Sequence, residues 1–282
     1  MILNNNLKNK INFFKKLKNS EICIISDFDD TITKGIVNGV RGSNSFSVFE
    51  NNSHLLGVEQ VKESNILFNY YYPLERKENM SEDKKIKLMI SWWEKEFELY
   101  KKYKLTQKVF DKIIDENLIE LKNKVFDFFN FTKENKIETI IFSAGIYNLI
   151  HSFLKKNKMD FENIHVIANQ IFFNKVGDFI KLKGDLIHSQ NKTFKELSSL
   201  PIFNDLKNKK GCILIGDSFG DLKMVEGSDF DVVLNIGFFN SLKNEKDYLI
   251  KKKLFKDKFD LILDGGEDFS KINNILKRIF QE

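Results

Sequence analysis

The sequence predicts an α/β protein with a doubly wound parallel sheet and a mostly helical insertion after the first strand. Six short, nearly continuous apolar runs are typical of strands buried on both faces, as in a parallel sheet covered by helices. These runs are Ile22–Ser26, Thr139–Ser143, Ile164–Ala168, Cys212–Gly216, Asp231–Ile236 and Phe259–Asp264. Helical patterns separate most of the runs or follow the last one, at Leu118–Asn135, Ile146–Lys156 and Phe269–Phe280. This alternation is typical of doubly wound α/β domains.

The stretch between the first two predicted strands follows a different pattern. No run that resembles a buried strand occurs between residues 39 and 117. Asn38–Gly57 is rich in Gly, Ser and Asn and predicts a loop, whereas Ser81–Tyr103 and Thr106–Asn117 predict helices. We therefore predict a core of residues 1–38 and 118–282 and a helical cap of residues 39–117. The cap is expected over the carboxyl ends of the strands, where open α/β sheets bind ligands.

The charge pattern argues against a nucleic-acid partner. The chain carries 45 basic and 40 acidic residues, interspersed along its length, for a net charge of +5. Nearly all of the basic residues are lysines, whereas a surface that binds nucleic acid would favour clustered charge with arginines. No run reaches the roughly 18 apolar residues that a membrane-spanning helix needs, so we expect no membrane partner either.

The two cysteines and the N-terminal segment bear on the compartment. Cys23 and Cys212 lie in predicted buried strands, which suits free thiols in a reducing environment. Leu7, Ile11 and Phe14 fall on one helical face and predict a helix that packs in front of the first strand. An organellar transit peptide is the alternative, but the segment lacks the arginines typical of one. We expect a cytoplasmic protein.

Acidic residues follow the first predicted strand. Ile22–Ser26 runs directly into Asp27-Phe28-Asp29-Asp30-Thr31. Carboxylates at the end of a buried strand repel one another and need compensating charge, and all-oxygen ligands suit magnesium. Taken alone, the motif is also compatible with an Asp-rich turn.

A second predicted strand ends in the same way. Cys212–Gly216 is followed by Asp217-Ser218-Phe219-Gly220-Asp221. Two such ends in one parallel sheet can converge on a single metal ion. The pair of motifs therefore favours a shared metal site over two unrelated acidic turns.

Two further segments suit a bound phosphate. Ser143-Ala144-Gly145 follows a predicted strand and precedes an apparent helix, and a hydroxyl with backbone N–H groups at a helix start can bind an anion. Lys192 follows a polar stretch that begins near His188. Each signal is weak alone, because Ser-Ala-Gly is often a structural helix entry and the chain has many lysines. His188 is expected to be a packed or surface residue rather than a catalyst.

Together these segments resemble the haloacid dehalogenase superfamily, whose motifs are D-x-D-x-[TV], a Ser or Thr at a strand end, a Lys and a distal acidic pair. The order along this chain agrees, with Asp27 and Asp29, Ser143, Lys192, and then Asp217 and Asp221. More narrowly, the chain resembles the pyrimidine 5′-nucleotidases, also called the cytosolic 5′-nucleotidase III family. The segments that carry this resemblance are Asp27–Thr33, Phe142–Gly145, Gly184–Lys192 and Gly216–Leu222, with looser matches at 39–41, 45–50 and 72–75.

The resemblance implies a magnesium-dependent hydrolase that acts through an aspartyl-phosphate. Asp27 would be the nucleophile, and Asp29 would act as the general acid and then the general base. Mg²⁺ would be held by Asp27, by the backbone carbonyl of Asp29 and by Asp217.

The same resemblance implies roles for the surrounding residues. Ser143, Ala144 and Lys192 would bind the phosphoryl oxygens, where charge must be stabilised during transfer. Asp221 would orient Lys192 or a metal-bound water. Thr31 of the first motif would contact the residues that act directly on the substrate or the metal ion.

The cap would choose the substrate, a small-molecule nucleotide, and we expect a monomer. The resemblance places Glu75 and Trp92 over the base of a pyrimidine nucleoside 5′-monophosphate. An aromatic face can stack on the base, and a carboxylate can accept a hydrogen bond from an exocyclic amine. Glu96 departs from the pattern, because a small polar residue is expected at this position. Its extra charge leaves the base preference open.

Two alternatives stay open. A phosphatase of the phosphoserine-phosphatase type shares the core and a helical cap, although its distal motif usually reads G-D-G-x-N-D. A catalytically silent phosphate-binding or scaffold protein is the alternative from another class. It is disfavoured because every expected catalytic residue is present.

Overall fold

The computed structural model describes residues 5–75, 77, 80–198, 200–265 and 268–281. The strands are β1 (Ile22–Ser26), β2 (Ile36–Val37), β3 (Val40–Arg41), β4 (Glu138–Ile146), β5 (Ile164–Phe173), β6 (Phe179–Lys183), β7 (Gly211–Gly216), β8 (Val232–Phe239) and β9 (Leu261–Asp264). The helices are α1 (Asn5–Phe14), α2 (Ser47–Asn51), α3 (Ser53–Leu56), α4 (Val58–Glu75), α5 (Glu82–Lys102), α6 (Gln107–Asp115), α7 (Val125–Glu134), α8 (Tyr147–Lys156), α9 (Phe194–Leu197), α10 (Phe203–Leu206), α11 (Tyr248–Lys258) and α12 (Ser270–Phe280). Single 3₁₀ turns lie at Asn19–Glu21 and Asp221–Val225.

Seven strands form one sheet in the order β6-β5-β4-β1-β7-β8-β9, and β2 pairs with β3 in a separate hairpin. Neighbours in the large sheet are parallel, except that β6 is antiparallel to β5. The chain moves outward on one side of β1 through β4 and β5, then crosses to β7 on the other side. The carboxyl end of β1 therefore lies at the point where the strand order reverses, which is where such sheets bind ligands.

The central strands are buried on both faces, as predicted. Every residue of β1 and β7 is buried. Ile22 and Ile24 pack into one hydrophobic cluster, whereas Cys23 and Ile25 point to the opposite face and pack into another. The sequence pattern of β1 thus reflects a strand covered by helices on both sides.

The predicted N-terminal packing helix is confirmed as α1. Leu7, Ile11 and Phe14 are buried in the same cluster as Ile22. Cys23 and Cys212 are both free and buried, and they are register partners across β1 and β7.

The predicted doubly wound α/β architecture is confirmed, but three strands were not predicted. The hairpin strands β2 and β3 have two residues each, too few to form a pattern. In β6 only Phe179 is buried, and lysines follow at Lys181 and Lys183, so this edge strand lacks the continuous apolar run of the central strands.

The prediction of a helix over Leu118–Asn135 is wrong at its N-terminal end, because α7 begins at Val125. The residues before α7 pair with the loop that follows β1. Thr33 forms an isolated antiparallel bridge with Leu121, and the Lys122 N–H donates to the Ile32 carbonyl at 2.9 Å.

The segment between β3 and β4 contains more helix than predicted. Helices α5 and α6 confirm the two predicted ones, but α4 was not predicted, and α2 and α3 lie where a loop was expected. Because α4 buries Gln60 and Ser64 together with Tyr71, it lacks the apolar stripe that identifies a surface helix.

Helices α4 and α5 pack side by side, with Tyr71 stacked on Trp92 at 5.6 Å between ring centroids. Phe49 and Tyr100 of this segment belong to the same hydrophobic cluster as Ile24 of the central strand. The division into a core and a cap at residues 39 and 117 stays a prediction. Within the described ranges, the helices are too short or too polar to span a bilayer.

Candidate active site

Asp27 follows β1 directly and lies at the centre of a buried ionic cluster. Its N–H donates to the Ile215 carbonyl of β7 at 2.9 Å, which continues the β1–β7 pairing past the end of the strand. Asp27 is 6% exposed, and its Oδ1 accepts a hydrogen bond from Lys192 Nζ at 2.6 Å. Burial raises the pKa of Asp27 to about 7, and the charge of Lys192 opposes that rise.

The end of β7 supplies Asp217 and Asp221. Asp221 Oδ1 accepts from Lys192 Nζ at 2.8 Å, and its Oδ2 accepts from the backbone N–H groups of Asp217 and Ser218 at 3.1 and 2.9 Å. Asp221 can approach β7 this closely because residue 216 is glycine, where an added Cβ would lie 2.8 Å from Asp221 Oδ2. Asp221 is therefore fixed by three neighbours and is suited to orient Lys192.

Lys192 is held between the two acidic strand ends and is 4% exposed. Burial alone would lower the pKa of Lys192, but the charges of Asp221 and Asp27 outweigh it and raise the pKa. The Lys192 ammonium therefore stays charged at any physiological pH.

The loop that carries Lys192 is fixed by two asparagines. Asn191 Oδ1 accepts from the His188 N–H at 2.7 Å, and Asn191 Nδ2 donates to the Leu186 carbonyl at 2.8 Å. The buried Asn169 of β5 donates to the carbonyls of Ala144 and Ile187 at 2.7 and 2.8 Å, which ties this loop to β4.

Asp29 lies beside Asp27 but has different partners. Its Oδ1 accepts from the Ser45 N–H at 2.8 Å, and its Oδ2 accepts from the Ser45 hydroxyl. Burial raises the pKa of Asp29 to about 6, and the Ser45 hydrogen bonds oppose that rise. Close packing around Asp29 excludes any side chain at residue 145, where an added Cβ would lie 2.9 Å from Asp29 Oδ2.

Ser143 and Ala144 line the same cavity as Asp27, and the helix predicted to follow them is confirmed as α8, which begins at Tyr147. The strand is longer than predicted, because β4 continues through both residues to Ile146, with a register shift after Phe142. The Gly145 N–H donates to Ser143 Oγ at 2.9 Å. Such strand irregularities commonly redirect side chains next to active sites.

The acidic cluster suits a divalent cation. Carboxylate oxygens of Asp27, Asp217 and Asp221 lie within 4.8 Å of one another. Burial raises the pKa of Asp217 well above its usual value, and the charge of Asp221 adds to the rise. Lys192 supplies one positive charge against three carboxylates, so an oxygen-bound cation such as Mg²⁺ would offset the remainder.

A cavity of about 270 Å³ connects this cluster with α4 and α5. Its lining includes six of the residues predicted from the sequence: Asp27, Asp29, Glu75, Trp92, Ser143 and Ala144. Glu75 Oε1 accepts a hydrogen bond from the Ser189 hydroxyl at 3.0 Å, so it links α4 to the loop that carries Lys192. The part of the cavity that the cap-segment helices α2, α4 and α5 line is aromatic and acidic, with Phe68, Tyr72, Trp92, Trp93, Glu50 and Glu96 in its walls.

The remaining predicted residue, Thr31, is fully buried, and its hydroxyl has no hydrogen-bond partner in the described part of the chain. His188 is buried, in agreement with its predicted packing role. Sequence reasoning did not single out Ser45, Asn169 or Ser189. Asn169 directly follows the predicted strand Ile164–Ala168, and the two serines lie in segments that carry the family resemblance. Only the folded chain shows their contacts with Asp29, Ala144 and Glu75.

Comparisons with known proteins agree with this geometry. The model of the family described as pyrimidine 5′-nucleotidase (UMPH-1) matches residues 30–280. A 7-methylguanosine phosphate-specific 5′-nucleotidase from Homo sapiens is 31% identical over 257 residues, which cover 91% of this chain and 84% of the relative.

Solved structures extend the likeness to the whole fold. The crystal structure of cytosolic 5′-nucleotidase IIIB bound to cytidine matches with a TM-score of 0.79 and 25% identity, covering 98% of this chain and 91% of the other. A phosphoserine phosphohydrolase-like protein from Francisella tularensis has a TM-score of 0.55 at 18% identity, covering 92% of this chain and 99% of the other, which shows a common fold. With the family match over residues 30–280 and the 31% identity to the human relative, this chain belongs to the pyrimidine 5′-nucleotidase family of phosphoric monoester hydrolases.

Proposed function

We propose that this chain is a Mg²⁺-dependent 5′-nucleotidase that converts a nucleoside 5′-monophosphate to nucleoside and phosphate, with Asp27 as the nucleophile. The observation that carries the proposal is a single cavity lined both by Asp27 and Ser143 of the sheet and by stacked aromatic side chains of α4 and α5. That arrangement suits a molecule with a phosphate at one end and a flat ring at the other.

In the first step, an Asp27 carboxylate oxygen attacks phosphorus, and the bond between phosphorus and the 5′-oxygen breaks. Asp29 donates a proton to the departing 5′-oxygen. The pKa of Asp29 near 6 keeps part of the population protonated at neutral pH, as a general acid requires. An acyl phosphate on Asp27 and a free nucleoside result.

In the second step, Asp29 removes a proton from water, the water oxygen attacks phosphorus, and the bond between phosphorus and Asp27 breaks. Ser143, the backbone at Ala144 and Lys192 stabilise the phosphoryl oxygens through both steps. Asp221 keeps Lys192 in position through its 2.8 Å hydrogen bond.

Mg²⁺ would be held by Asp27, the backbone carbonyl of Asp29 and Asp217, and when bound it would neutralise phosphate charge. Asp221 also lies within the carboxylate cluster, but its oxygens already accept hydrogen bonds from Lys192, Asp217 and Ser218. We therefore assign Asp221 to positioning rather than to metal binding.

The nucleoside occupies the aromatic end of the cavity, where Glu75 and Trp92 hold it. The family description favours a pyrimidine substrate such as CMP. The human relative is specific for 7-methylguanosine phosphate, and a flat, positively charged 7-methylguanine would also suit aromatic rings with acidic neighbours. Both nucleotides are therefore candidate substrates, with CMP the first.

A phosphate-release assay tests the proposal. Initial rates are measured for CMP, UMP, 7-methyl-GMP, phosphoserine and p-nitrophenyl phosphate, each with Mg²⁺ and with EDTA. We expect at least one nucleotide to exceed both non-nucleotide esters in kcat/KM, and EDTA to remove activity. A preference for phosphoserine would instead support the alternative phosphatase, and no turnover of any ester would support a silent phosphate-binding protein.

A further inference from the structure

Glu96 is an acidic side chain buried in the wall of the cavity. The proposed phosphate-transfer steps do not use it. It lies on α5, one helical turn after Trp92, and is 2% exposed. Asp27, Asp29 and Glu96 all line the same cavity, with Glu96 among the aromatic side chains. A carboxyl group buried this deeply is costly unless it is hydrogen-bonded.

Only one of its two oxygens is satisfied within the described part of the chain. The Ser64 hydroxyl donates to Glu96 Oε2 at 2.9 Å, and Gln60 Nε2 donates to Ser64 Oγ at 2.8 Å. Glu96 Oε1 is buried without a hydrogen-bond partner there. The two helices thus fix the carboxyl group through one oxygen, while the other oxygen has no partner among the described residues.

Two donors on residues that line the same cavity are also unsatisfied. The indole N–H groups of Trp92 and Trp93 are buried and lack hydrogen-bond partners among the described residues. The Trp92 indole is close enough to lower the pKa of Glu96, although it does not meet hydrogen-bond geometry. Unpaired buried polar groups are costly, so these aromatic and acidic walls suit a polar, flat ligand.

We propose that Glu96 is a specificity-determining residue, whose free Oε1 accepts a hydrogen bond from the exocyclic amino group of the base and so selects cytosine over uracil. The inference rests on the proposed 5′-nucleotidase function and assigns its base preference. Cytosine presents an amino donor where uracil presents a carbonyl oxygen, and a carboxylate repels that oxygen because both are acceptors.

Glu75 also has one oxygen that accepts from a serine hydroxyl, that of Ser189, but it is more exposed than Glu96, so water can reach its carboxyl group. Burial raises the pKa of Glu96 to about 7, with Ser64 opposing the rise, so Glu96 is mostly an acceptor at pH 8. The assays below are therefore set at that pH.

The test compares kcat/KM for CMP and UMP in the wild type and in Glu96→Gln, with Glu98→Gln on the exposed side of the same helix as the matched control. A glutamine anchored by Ser64 can present its NH₂ group to the base, which reverses the preference. We expect the ratio of kcat/KM for CMP to kcat/KM for UMP to fall about tenfold or more in Glu96→Gln, relative to the wild type. In Glu98→Gln the same ratio should stay at the wild-type value. An unchanged ratio in Glu96→Gln, or a wild type that prefers UMP, overturns the inference.

A second measurement needs no variant and covers the case in which Glu96→Gln does not fold. The wild type is assayed with the 5′-monophosphate of pyrimidin-2-one riboside, in which hydrogen replaces the 4-amino group of cytosine. Its kcat/KM should lie about tenfold below that of CMP, and equal values overturn the inference. If the wild type hydrolyses neither these nucleotides nor 7-methyl-GMP, the proposed function itself fails. If the wild type hydrolyses CMP and the nucleotide without the 4-amino group equally well, the proposed function stands and only the inference about Glu96 fails.

Discussion

Lys192 Nζ lies 2.6 Å from Asp27 Oδ1 and 2.8 Å from Asp221 Oδ1, so one buried ammonium group joins the ends of β1 and β7. The site thus holds its own cation in the place where phosphate charge must be neutralised. In the proposed mechanism, Lys192 exchanges part of its contact with Asp27 for a phosphoryl oxygen.

Lys192→Gln should lower kcat/KM for the best nucleotide by roughly 100- to 1,000-fold, the usual effect of losing one electrostatic donor. Lys195→Gln changes an exposed lysine three residues away and should have no effect. Equal activity in the two variants would contradict a role for Lys192 at the phosphate. The measurement is the initial rate of phosphate release by the wild type and both variants with Mg²⁺ present. Melting temperatures confirm that the variants are folded.

Asp29→Asn should slow turnover by roughly 100- to 10,000-fold, because the same carboxyl group serves as acid and then as base. Ser45→Ala keeps the carboxyl group but removes the hydroxyl that donates to it, so the expected loss is smaller. The measurement is kcat for CMP in both variants. Turnover of Asp29→Asn near the wild-type rate would show that another group moves the proton.

Glu75→Gln should lower kcat/KM for nucleotides by roughly ten- to a hundredfold, the usual effect of losing a hydrogen bond to a charged group. Trp92→Ala should cost somewhat less and discriminate less between bases, because stacking accepts any flat ring. The variants are assayed with CMP, UMP and p-nitrophenyl phosphate. A parallel fall for all three esters would mean that these residues support the fold and do not choose the substrate.

His188 should make the free energy of unfolding depend on pH. Burial lowers the pKa of His188 to about 4, against about 6.5 in an unfolded chain. Between these values the unfolded state binds the extra proton, so the stabilising effect of neutral His188 is present above pH 6.5 and is lost as the pH falls toward 4. The full effect is at most about 3 kcal/mol.

The measurement is urea unfolding at pH 7.5 and pH 5 for the wild type and His188→Asn. Carboxyl groups with raised pKa values, such as Asp29, contribute with the opposite sign in both proteins and cancel in the comparison. The wild type should lose more stability than the variant on acidification. Equal losses would show that His188 does not titrate in this way.

The convergence of Asp27 and Asp217 could be predicted from the sequence because both residues follow strand ends. Asp27 and Asp217 each stand directly after an apolar run, and parallel strands bring such residues to one edge of the sheet. Ser143 lines the cavity, and the helix predicted over Ile146–Lys156 is confirmed as α8, which begins one residue later.

The nucleoside end was harder to predict because no local pattern marks it. Helix α4 was missed, since it buries Gln60 and Ser64 on the side that faces α5. Those two residues also form the hydrogen-bond chain that holds Glu96. The sequence therefore showed that Glu96 is unusual, but it could not predict which side chains contact Glu96. Ser45 contacts Asp29 at a sequence separation of 16, across the β2–β3 hairpin, and only the folded structure shows this pairing.

The central claim is that Asp27 performs the attack on phosphorus, and the most direct measurement is the rate of phosphate release from CMP by Asp27→Asn with Mg²⁺ present. The asparagine keeps the shape of the side chain and can still accept from Lys192, so the fold should survive, as a melting curve can verify. We predict that turnover is removed almost entirely for CMP and for 7-methyl-GMP. Appreciable phosphate release by the folded variant from either nucleotide would contradict a covalent mechanism at Asp27.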